Sequence, residues 1–374
     1  MSNVSSYRRV VVKAGTGLLT DEAGGLNLEV MAALVKQIAG LHEEGLELAL
    51  VSSGAVAAGR HVLGVSKEGK DLPLRQVLAA VGQSHLMHAY EDLFGQHHIP
   101  VAQALLSRRD LTDRLGYLNV RNTLLTLLDR RVVPIINEND VVAVEELTGE
   151  VFGDNDNLSA MVANLVDADL LVMVGEIEGL YTADPHLDRS ARLIERVETL
   201  DEQIEPMGGP SWGNQGQGGM ATKLEAATLA TASGVPVVIA SGTEHDVLPR
   251  LVAGESIGTF FVAKGTKIES RKRWMLSGLS NRGEILVDDG AVRALSHQNR
   301  SLLPAGVTRV VGSFRRGDII SILDSTRHQI TCGITNYNSD ELAQIKGLHS
   351  DRIPEILGHH YGDEVVHRNN MVVL

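Results

Sequence analysis

Residues 8–17, RRVVVKAGTG, form a short β-branched apolar run that ends in a lysine and a turn of small residues. Similar apolar runs recur along the chain at 47–51, 99–106, 131–136, 170–174 and 235–240. Between them lie longer segments whose apolar residues recur every three or four positions, which is the periodicity of amphipathic helices. The alternation predicts an α/β fold in which helices sandwich a mainly parallel β-sheet.

The composition limits the class of protein. The chain has 374 residues, of which 43% are hydrophobic, so it is long enough to fold as two domains. Its net charge of −13 argues against a protein that mainly coats nucleic acid. The single Cys332 can form no internal disulfide, and we interpret it as a small core residue. No apolar run approaches the ~20 residues that cross a bilayer and no signal segment is evident, so we expect a cytoplasmic protein without a membrane partner.

The C-terminal part differs in charge from the rest. Between Lys264 and Arg327 there are 12 lysines and arginines against 6 acidic residues. The polar segment KGTKIESRKRW, which starts at Lys264, lacks apolar periodicity and is typical of a connector. We therefore predict a first domain over residues 1–265, a linker over 266–280 and a smaller domain over 281–374.

Small and polar residues follow three of the predicted strands: KAGTG at 13–17, SSGAVAAG at 52–59 and NEND at 137–140. Because ligands of parallel sheets bind beyond the carboxyl ends of the strands, these segments predict a site at one edge of the sheet. GDNDNLSAMVANLV, which starts at Gly153, is typical of a loop that enters a helix, with Asn and Asp as caps. On its own, NEND is typical of an ordinary turn.

Two glycine patterns resemble nucleotide motifs without matching them. GTGLLT lacks the third glycine of a dinucleotide fingerprint, because Thr20 takes its place. GVSKEGKD, residues 64–71, has Asp71 where a P-loop has Ser or Thr, and we interpret it as a surface loop. SWGNQGQGGMATK, residues 211–223, instead runs into a helical pattern. It predicts either a phosphate cradle with Lys223 on the first helical turn or a plain loop with an exposed lysine.

The order of these motifs resembles that of a known family. KAGTG, VSSGAVAAGR, LAAVGQSHLM, LNVRNTLLTLL, PIINEND, GDNDNLSA, GLYTADP and GGMATK follow one another as in the amino acid kinase family, most specifically in its glutamate 5-kinase members. The later segments GEILVDDGAVRAL and SLLPAGVTRVVGSFRRGDIISI are similar to a PUA domain, a small β-rich module. The resemblance covers essentially the whole chain. It implies an amino acid kinase-type sheet sandwiched by helices, followed by a PUA-like domain.

The resemblance also implies an activity. This is the ATP-dependent phosphorylation of the L-glutamate γ-carboxylate to L-glutamyl 5-phosphate, the first step of proline biosynthesis, with ATP and Mg²⁺ as cofactors. It further implies a homodimer or homotetramer and feedback inhibition by proline. Two alternatives stay open: a sibling kinase that acts on another carboxylate or carbamate, and a regulatory protein that binds RNA through the PUA-like domain. The negative net charge and the few aromatic residues argue against RNA as the main partner.

The functional residues of the family map onto positions of this chain. The catalytic residues would be Lys13, Lys223 and Asp156, with Asp154 as a neighbour, and Asp156 would also help to bind magnesium. The residues that would bind glutamate are Ser53, Gly54, Asn137, Asp140 and Asn155. The residues that would bind the nucleotide are Lys13, Gly15, Gly175, Glu176, Gln217, Gly218, Gly219, Met220, Ala221, Thr222 and Lys223. Of these, Gly175, Glu176 and Gln217 depart from the residues that relatives often have there.

Overall fold

The computed structural model describes residues 7–21, 23–65, 72–142, 155–185, 187–200, 219–265, 283–298 and 300–373. Their contacts divide the chain into two units. The first comprises Met1–Leu111 and Val120–Thr266, and the second joins Thr112–Asn119 to Lys267–Leu374. The linker predicted at 266–280 lies outside the described residues, and the predicted domain boundaries stay a prediction.

The first unit contains an eight-stranded sheet. Its strands are β1 Arg9–Ala14, β2 Glu47–Ser52, β3 Val101–Leu106, β4 Val133–Glu138, β5 Leu170–Gly175, β6 Arg196–Val197, β7 Val237–Ser241 and β8 Thr259–Phe261. They lie in the order β3-β4-β2-β1-β5-β7-β8-β6. Neighbouring strands are parallel, except that β7 and β8 are antiparallel. The prediction of a mainly parallel sheet is therefore confirmed.

The strands form where the sequence predicts them. Each of the six apolar runs becomes a strand within two residues of its predicted bounds, because buried β-branched side chains on both faces suit a covered parallel sheet. The two short strands β6 and β8 were not predicted. Two or three residues are too few to show a β-type pattern in sequence.

Helices cover the sheet. Those that begin before residue 266 are α1 Thr16–Leu19, α2 Leu28–Glu43, α3 Ala55–Leu63, α4 Leu72–Gly95, α5 Arg108–Thr112, α6 Arg114–Asp129, α7 Asn155–Leu165, α8 Met220–Ala232 and α9 Val247–Val252. The pattern of α2 shows why they form: Met31, Leu34, Val35 and Ile38 recur on one face and are buried against the sheet. The Asn27 side chain accepts a hydrogen bond from the Val30 N–H at 3.2 Å and so caps this helix.

The second unit contains a separate five-stranded sheet. Its strands are β9 Gly283–Val287, β10 Val307–Gly312, β11 Ile319–Leu323, β12 Gln329–Ile334 and β13 Met371–Val373, in the order β10-β9-β11-β12-β13. The accompanying helices are α10 Asp289–His297, α11 Ser339–Ile345 and α12 Ile353–Leu357. Cys332 lies on β12 with no exposed surface, as expected for a core residue. None of the described helices is long and apolar enough to cross a membrane.

Candidate active site

The predicted site residues meet where the central strands of the first sheet end. The strands β4, β2, β1 and β5 are neighbours, and their carboxyl ends carry Asn137, Ser52, Lys13 and Gly175. Helix α7 begins close by, since its first residue, Asn155, hydrogen-bonds to the end of β2. The edge selected by the strand-end argument therefore holds both a charged cluster and an amide cluster.

The charged cluster consists of two lysines on either side of one carboxylate. The ammonium Nζ of Lys13 lies 2.5 Å from Oδ1 of Asp156. The ammonium Nζ of Lys223 lies 3.2 Å from Oδ2 of Asp156, which also accepts a hydrogen bond from the Thr222 hydroxyl at 2.9 Å. Neither Lys13 nor Asp156 has exposed surface. One buried carboxylate thus holds two ammonium groups in place at the end of the sheet.

The ionisation of Asp156 follows from these contacts. Burial by itself raises the pKa of this carboxyl group, but the charges of Lys13 and Lys223 and the hydrogen bonds from Lys13 and Thr222 outweigh burial. The net effect lowers the pKa of Asp156 from 3.8 to about 2. Asp156 is therefore ionised at neutral pH, and its low proton affinity makes it a weak general base.

Two glycines leave space beside the lysines. A methyl group on Gly15 would lie 3.8 Å from Nζ of Lys13, and one on Gly175 would lie 3.9 Å from Cε of Lys223. The Gly15 N–H donates to the carbonyl of Val174 at 3.0 Å, which fixes the turn after β1. The backbone next to both lysine side chains therefore carries no side chain at Gly15 and Gly175, which allows a ligand to approach closely.

Helix α8 supplies Lys223 and Thr222 from its first turn. Its N-cap is Gly219, which has no side chain to accept from the first-turn N–H groups. A helix N-terminus of this kind favours anions, and Lys223 is buried, but the phosphate cradle stays a prediction. Met220 is fully buried, whereas Ala221 is exposed. The predicted residues Gln217 and Gly218 lie outside the described residues, as does Asp154.

The amide cluster lies next to the charged cluster, since Asn155 precedes Asp156 in the chain. The Asn155 side-chain nitrogen donates to the Ser52 carbonyl, the Ser53 hydroxyl and Oδ1 of Asn137, each at 2.9 Å. Gly54, the N-cap of α3, has a φ of +103°, a conformation that only glycine adopts without strain. Four of the five predicted glutamate-binding residues, Ser53, Gly54, Asn137 and Asn155, are thereby brought together.

Asp140, the fifth, lies on the wall of a cavity of about 300 Å³. This cavity is lined by Ala79, Gln83, Gln103, Leu105, Glu138 and Asp140, among others. Its volume is at the lower end of the range for small-ligand sites. Glu176, which directly follows β5, is exposed, and its carboxylate lies against Gly17 of α1.

Comparison with known proteins agrees with this geometry. The model described as "Amino acid kinase family" matches residues 8–241, and the PUA domain model matches residues 283–357. A glutamate 5-kinase of Dehalococcoides mccartyi is 53% identical over 372 residues, which cover 100% of both chains. A glutamate 5-kinase of Herpetosiphon aurantiacus is 51% identical over 366 residues, or 98% of each chain.

The chain belongs to the amino acid kinase family. The fold predicted from the resemblance, an amino acid kinase-type sheet followed by a β-rich PUA domain, is confirmed. As an amino acid kinase the protein is a phosphotransferase, and this agrees with a site that offers two ammonium groups. The roles assigned to individual residues stay predictions.

Sequence reasoning missed three buried polar residues of this amino acid kinase site. The hydroxyl oxygens of Ser52 and Tyr90 lie 2.8 Å apart, and Gln83 accepts a hydrogen bond from Asn137 at 2.7 Å. All three are buried. Tyr90 and Gln83 lie on α4, and a polar residue on the mostly apolar buried face of this helix is the signal that could identify Gln83.

The contacts of Asp156 bear on the metal assignment. Both of its oxygens already face ammonium groups, and no group of three or more His, Cys, Asp or Glu suited to a metal occurs among the described residues. A direct bond from Asp156 to Mg²⁺ does not fit this arrangement. Since Mg²⁺ in kinases is commonly held through substrate phosphates and water, we expect it to arrive with the nucleotide.

Proposed function

We propose that this protein transfers the γ-phosphoryl group of ATP to the γ-carboxylate of L-glutamate and forms L-glutamyl 5-phosphate. The observation that carries the proposal is the buried Lys13–Asp156–Lys223 cluster beside the Asn155 amide cluster. The first arrangement suits a phosphoryl group in transfer and the second suits an amino acid. The full-length similarity to glutamate 5-kinases supports the choice of substrate and the place in proline biosynthesis.

The chemistry requires no general base. A glutamate side chain, with a pKa of ~4.3, is already a carboxylate at neutral pH and can attack the phosphoryl group directly. Catalysis therefore reduces to alignment and neutralisation of charge. In such a reaction the γ-carboxylate oxygen forms a bond to phosphorus, while the bond from phosphorus to the bridging oxygen of ADP breaks.

Lys13 and Lys223 supply the neutralising charge. Their ammonium groups converge on Asp156 from β1 and α8, so each can bind phosphate oxygens without losing its fixed position. Asp156 orients both lysines and offsets their charge in a buried environment. Without this carboxylate, two buried like charges would repel each other.

The amide cluster would hold the amino acid. The Asn155 amide donates a hydrogen bond to the Ser53 hydroxyl, so both groups are held in position to meet the substrate carboxylates. Asp140, on the cavity wall, would bind the α-ammonium group. Since Asn155 and Asp156 are consecutive on α7, this helix sets the distance between substrate and lysines.

The nucleotide would bind at the start of α8 and beside the two glycines. The N–H groups of the first helical turn after Gly219 would bind phosphate oxygens. Gly15 and Gly175 would allow the phosphates to approach the lysines closely. Glu176, on the exposed side next to Gly17, would contact the nucleoside end. Mg²⁺ bound to the phosphates would supply further neutralisation of charge.

The test is formation of an acyl phosphate. When protein, ATP, Mg²⁺, glutamate and hydroxylamine are mixed, we expect γ-glutamyl hydroxamate, and little product when aspartate, N-acetylglutamate or carbamate replaces glutamate. Lys223→Met should reduce the rate by at least about 100-fold while the thermal melting curve stays cooperative. No product from glutamate beside an active reference kinase would refute the proposal, and a preference for another acceptor would select a sibling kinase.

Inhibition by proline, assembly into oligomers and binding of RNA are also proposals. Proline, like glutamate, carries an α-carboxylate next to a positively charged α-nitrogen, and we propose that it competes at the same amide cluster. Assembly as a homodimer or homotetramer rests on the family resemblance. RNA binding by the PUA domain, favoured only by the basic residues between Lys264 and Arg327, is at most an accessory role.

A further inference from the structure

Gln83 extends the amide cluster one residue beyond the predicted site. It lies in the middle of α4 with only 8% of its surface exposed, and its Oε1 accepts a hydrogen bond from Asn137 Nδ2 at 2.7 Å. Its Nε2 is buried and has no hydrogen-bond partner within the described part of the chain. A buried donor without an acceptor is costly, so a ligand that supplies the acceptor would bind favourably.

The backbone fixes which atom of Gln83 faces the cavity. The Ser52 carbonyl can only accept, so the side chain of Asn155 must present its nitrogen there. The Glu138 N–H can only donate, so Asn137 must present its oxygen to it, at 2.8 Å. The remaining group of Asn137, its side-chain nitrogen, donates to Gln83, so Gln83 must present Oε1 as the acceptor. The Nε2 of Gln83 is therefore the free end of this chain of hydrogen bonds.

Close helix packing holds Gln83 at this place. A methyl group on the preceding residue, Gly82, would lie 1.7 Å from the carbonyl oxygen of Ala55, and one on Gly59 would lie 1.9 Å from that of Leu78. Helices α3 and α4 therefore touch backbone to backbone. Since Ala55 directly follows the Ser53–Gly54 turn, Gln83 is rigidly positioned with respect to the predicted glutamate site.

We propose that Nε2 of Gln83 donates a hydrogen bond to the α-carboxylate of glutamate, an inference that rests on the proposed function. The reacting γ-carboxylate must lie near Lys13 and Lys223. Gln83 is separated from Asn155, the neighbour of Asp156, by two hydrogen bonds through Asn137, so it lies at the other end of the substrate. It also shares a cavity with Asp140, the proposed partner of the α-ammonium group. Gln83 is thus a specificity residue for α-amino acids.

The decisive variant is Gln83→Glu. A glutamate side chain still accepts the hydrogen bond from Asn137, so the cluster is retained, but it cannot donate and places negative charge opposite the α-carboxylate. We expect the KM for glutamate to rise by at least about tenfold, which corresponds to the loss of one hydrogen bond to a charged group. The KM for ATP should stay within about twofold, because the nucleotide binds elsewhere.

Gln96→Glu is the matched control. Gln96 is exposed directly after the C-terminal end of α4 and does not line the cavity, so this change adds the same charge without touching the amide cluster. We expect it to change the KM for glutamate by less than about threefold, since exposed charges are screened by water. An equal rise in both variants would show a general effect of charge and would overturn the role of Gln83.

A substrate analogue identifies the group that Gln83 binds. L-Isoglutamine keeps the γ-carboxylate and the α-ammonium group but carries a neutral amide in place of the α-carboxylate. The wild-type protein should prefer glutamate strongly, whereas in Gln83→Glu the preference should shrink by at least about tenfold. An unchanged preference would mean that Gln83 does not face the α-carboxylate.

The outcomes separate this inference from the proposed function. A wild-type protein that makes no hydroxamate would remove both, whereas an active wild type with unchanged kinetics in Gln83→Glu would remove the inference alone. Should Gln83→Glu fail to fold in a circular dichroism melt, Gln83→Met keeps the length and burial of the side chain and serves the same assay. A Gln83→Met protein with the wild-type KM for glutamate would equally overturn the inference.

Discussion

Asp156 is the single carboxylate that contacts both lysines of the site. It has no exposed surface, and its two oxygens face Lys13 and Lys223 separately. Removal of one member of a buried ion pair is generally costly, because the remaining charge stays buried without a partner. The residue that we propose to order the lysines for catalysis should therefore also contribute to the stability of the fold.

The pH dependence of stability should identify Asp156. Its pKa in the folded chain, about 2, lies below the ordinary value of 3.8, so the ionised group stabilises the folded state above pH 3.8. This contribution is lost as the pH falls through about 2. We expect the difference in urea midpoint between the wild type and Asp156→Asn to be largest at pH 5 to 7 and to shrink at lower pH.

The control for this measurement is Asp92→Asn. Asp92 is exposed beside His88 on α4, and an exposed pair of this kind contributes little to stability. Its urea midpoint should stay close to that of the wild type at every pH. The assigned role would be contradicted if the difference in urea midpoint between Asp156→Asn and the wild type stayed constant down to the lowest pH at which both proteins fold.

At the scale of elements, the contact between α3 and α4 depends on two glycines. A side chain at Gly82 would meet backbone atoms of Ala55 and Gly59 rather than a flexible side chain, so the helices must separate. We expect Gly82→Ala to lower the free energy of unfolding by about 2 kcal/mol or more. It should also raise the KM for glutamate, because α4 carries Gln83 and α3 follows the Ser53–Gly54 turn.

Gly95→Ala is the comparison variant on the same helix. A methyl group there would meet no atom within 4 Å, and alanine favours helix over glycine. Urea unfolding should therefore show equal or slightly higher stability, with unchanged kinetics. Equal losses in Gly82→Ala and Gly95→Ala would mean that the close approach of the helices is not the cause.

The sequence predicted those elements whose signal is local. Buried β-branched runs located β1 to β5 and β7, and the strand-end rule then led to Lys13, Ser53 and Asn137. For Gln83 the sequence shows only a polar residue on the buried face of α4; its contact with Asn137 depends on how α4 packs against α3 at Gly82, which the periodicity of one helix does not reveal. For the same reason, the pattern of α6 could not reveal that its first residues pack with the C-terminal unit.

On the scale of the whole molecule, the second unit is assembled from two separate parts of the chain. Thr112–Asn119 belong to it together with the residues after 266. Leu118 has no exposed surface and packs with Ile319, Cys332, Ile334 and Val372. A helical residue from the middle of the kinase sequence therefore contributes to the core that the PUA sheet buries.

Leu118→Ala should loosen the second unit selectively. Truncation of a fully buried leucine costs about 2–5 kcal/mol, and the partners that lose contacts lie on β11, β12 and β13. Hydrogen exchange of the full-length protein should become faster for the amides of β12, while those of β1 keep their protection. Leu124→Ala removes the same atoms from a buried position six residues later on α6, in a residue that belongs to the first unit. It should spare β12, and faster exchange of β12 in both variants would contradict the division of this helix between two cores.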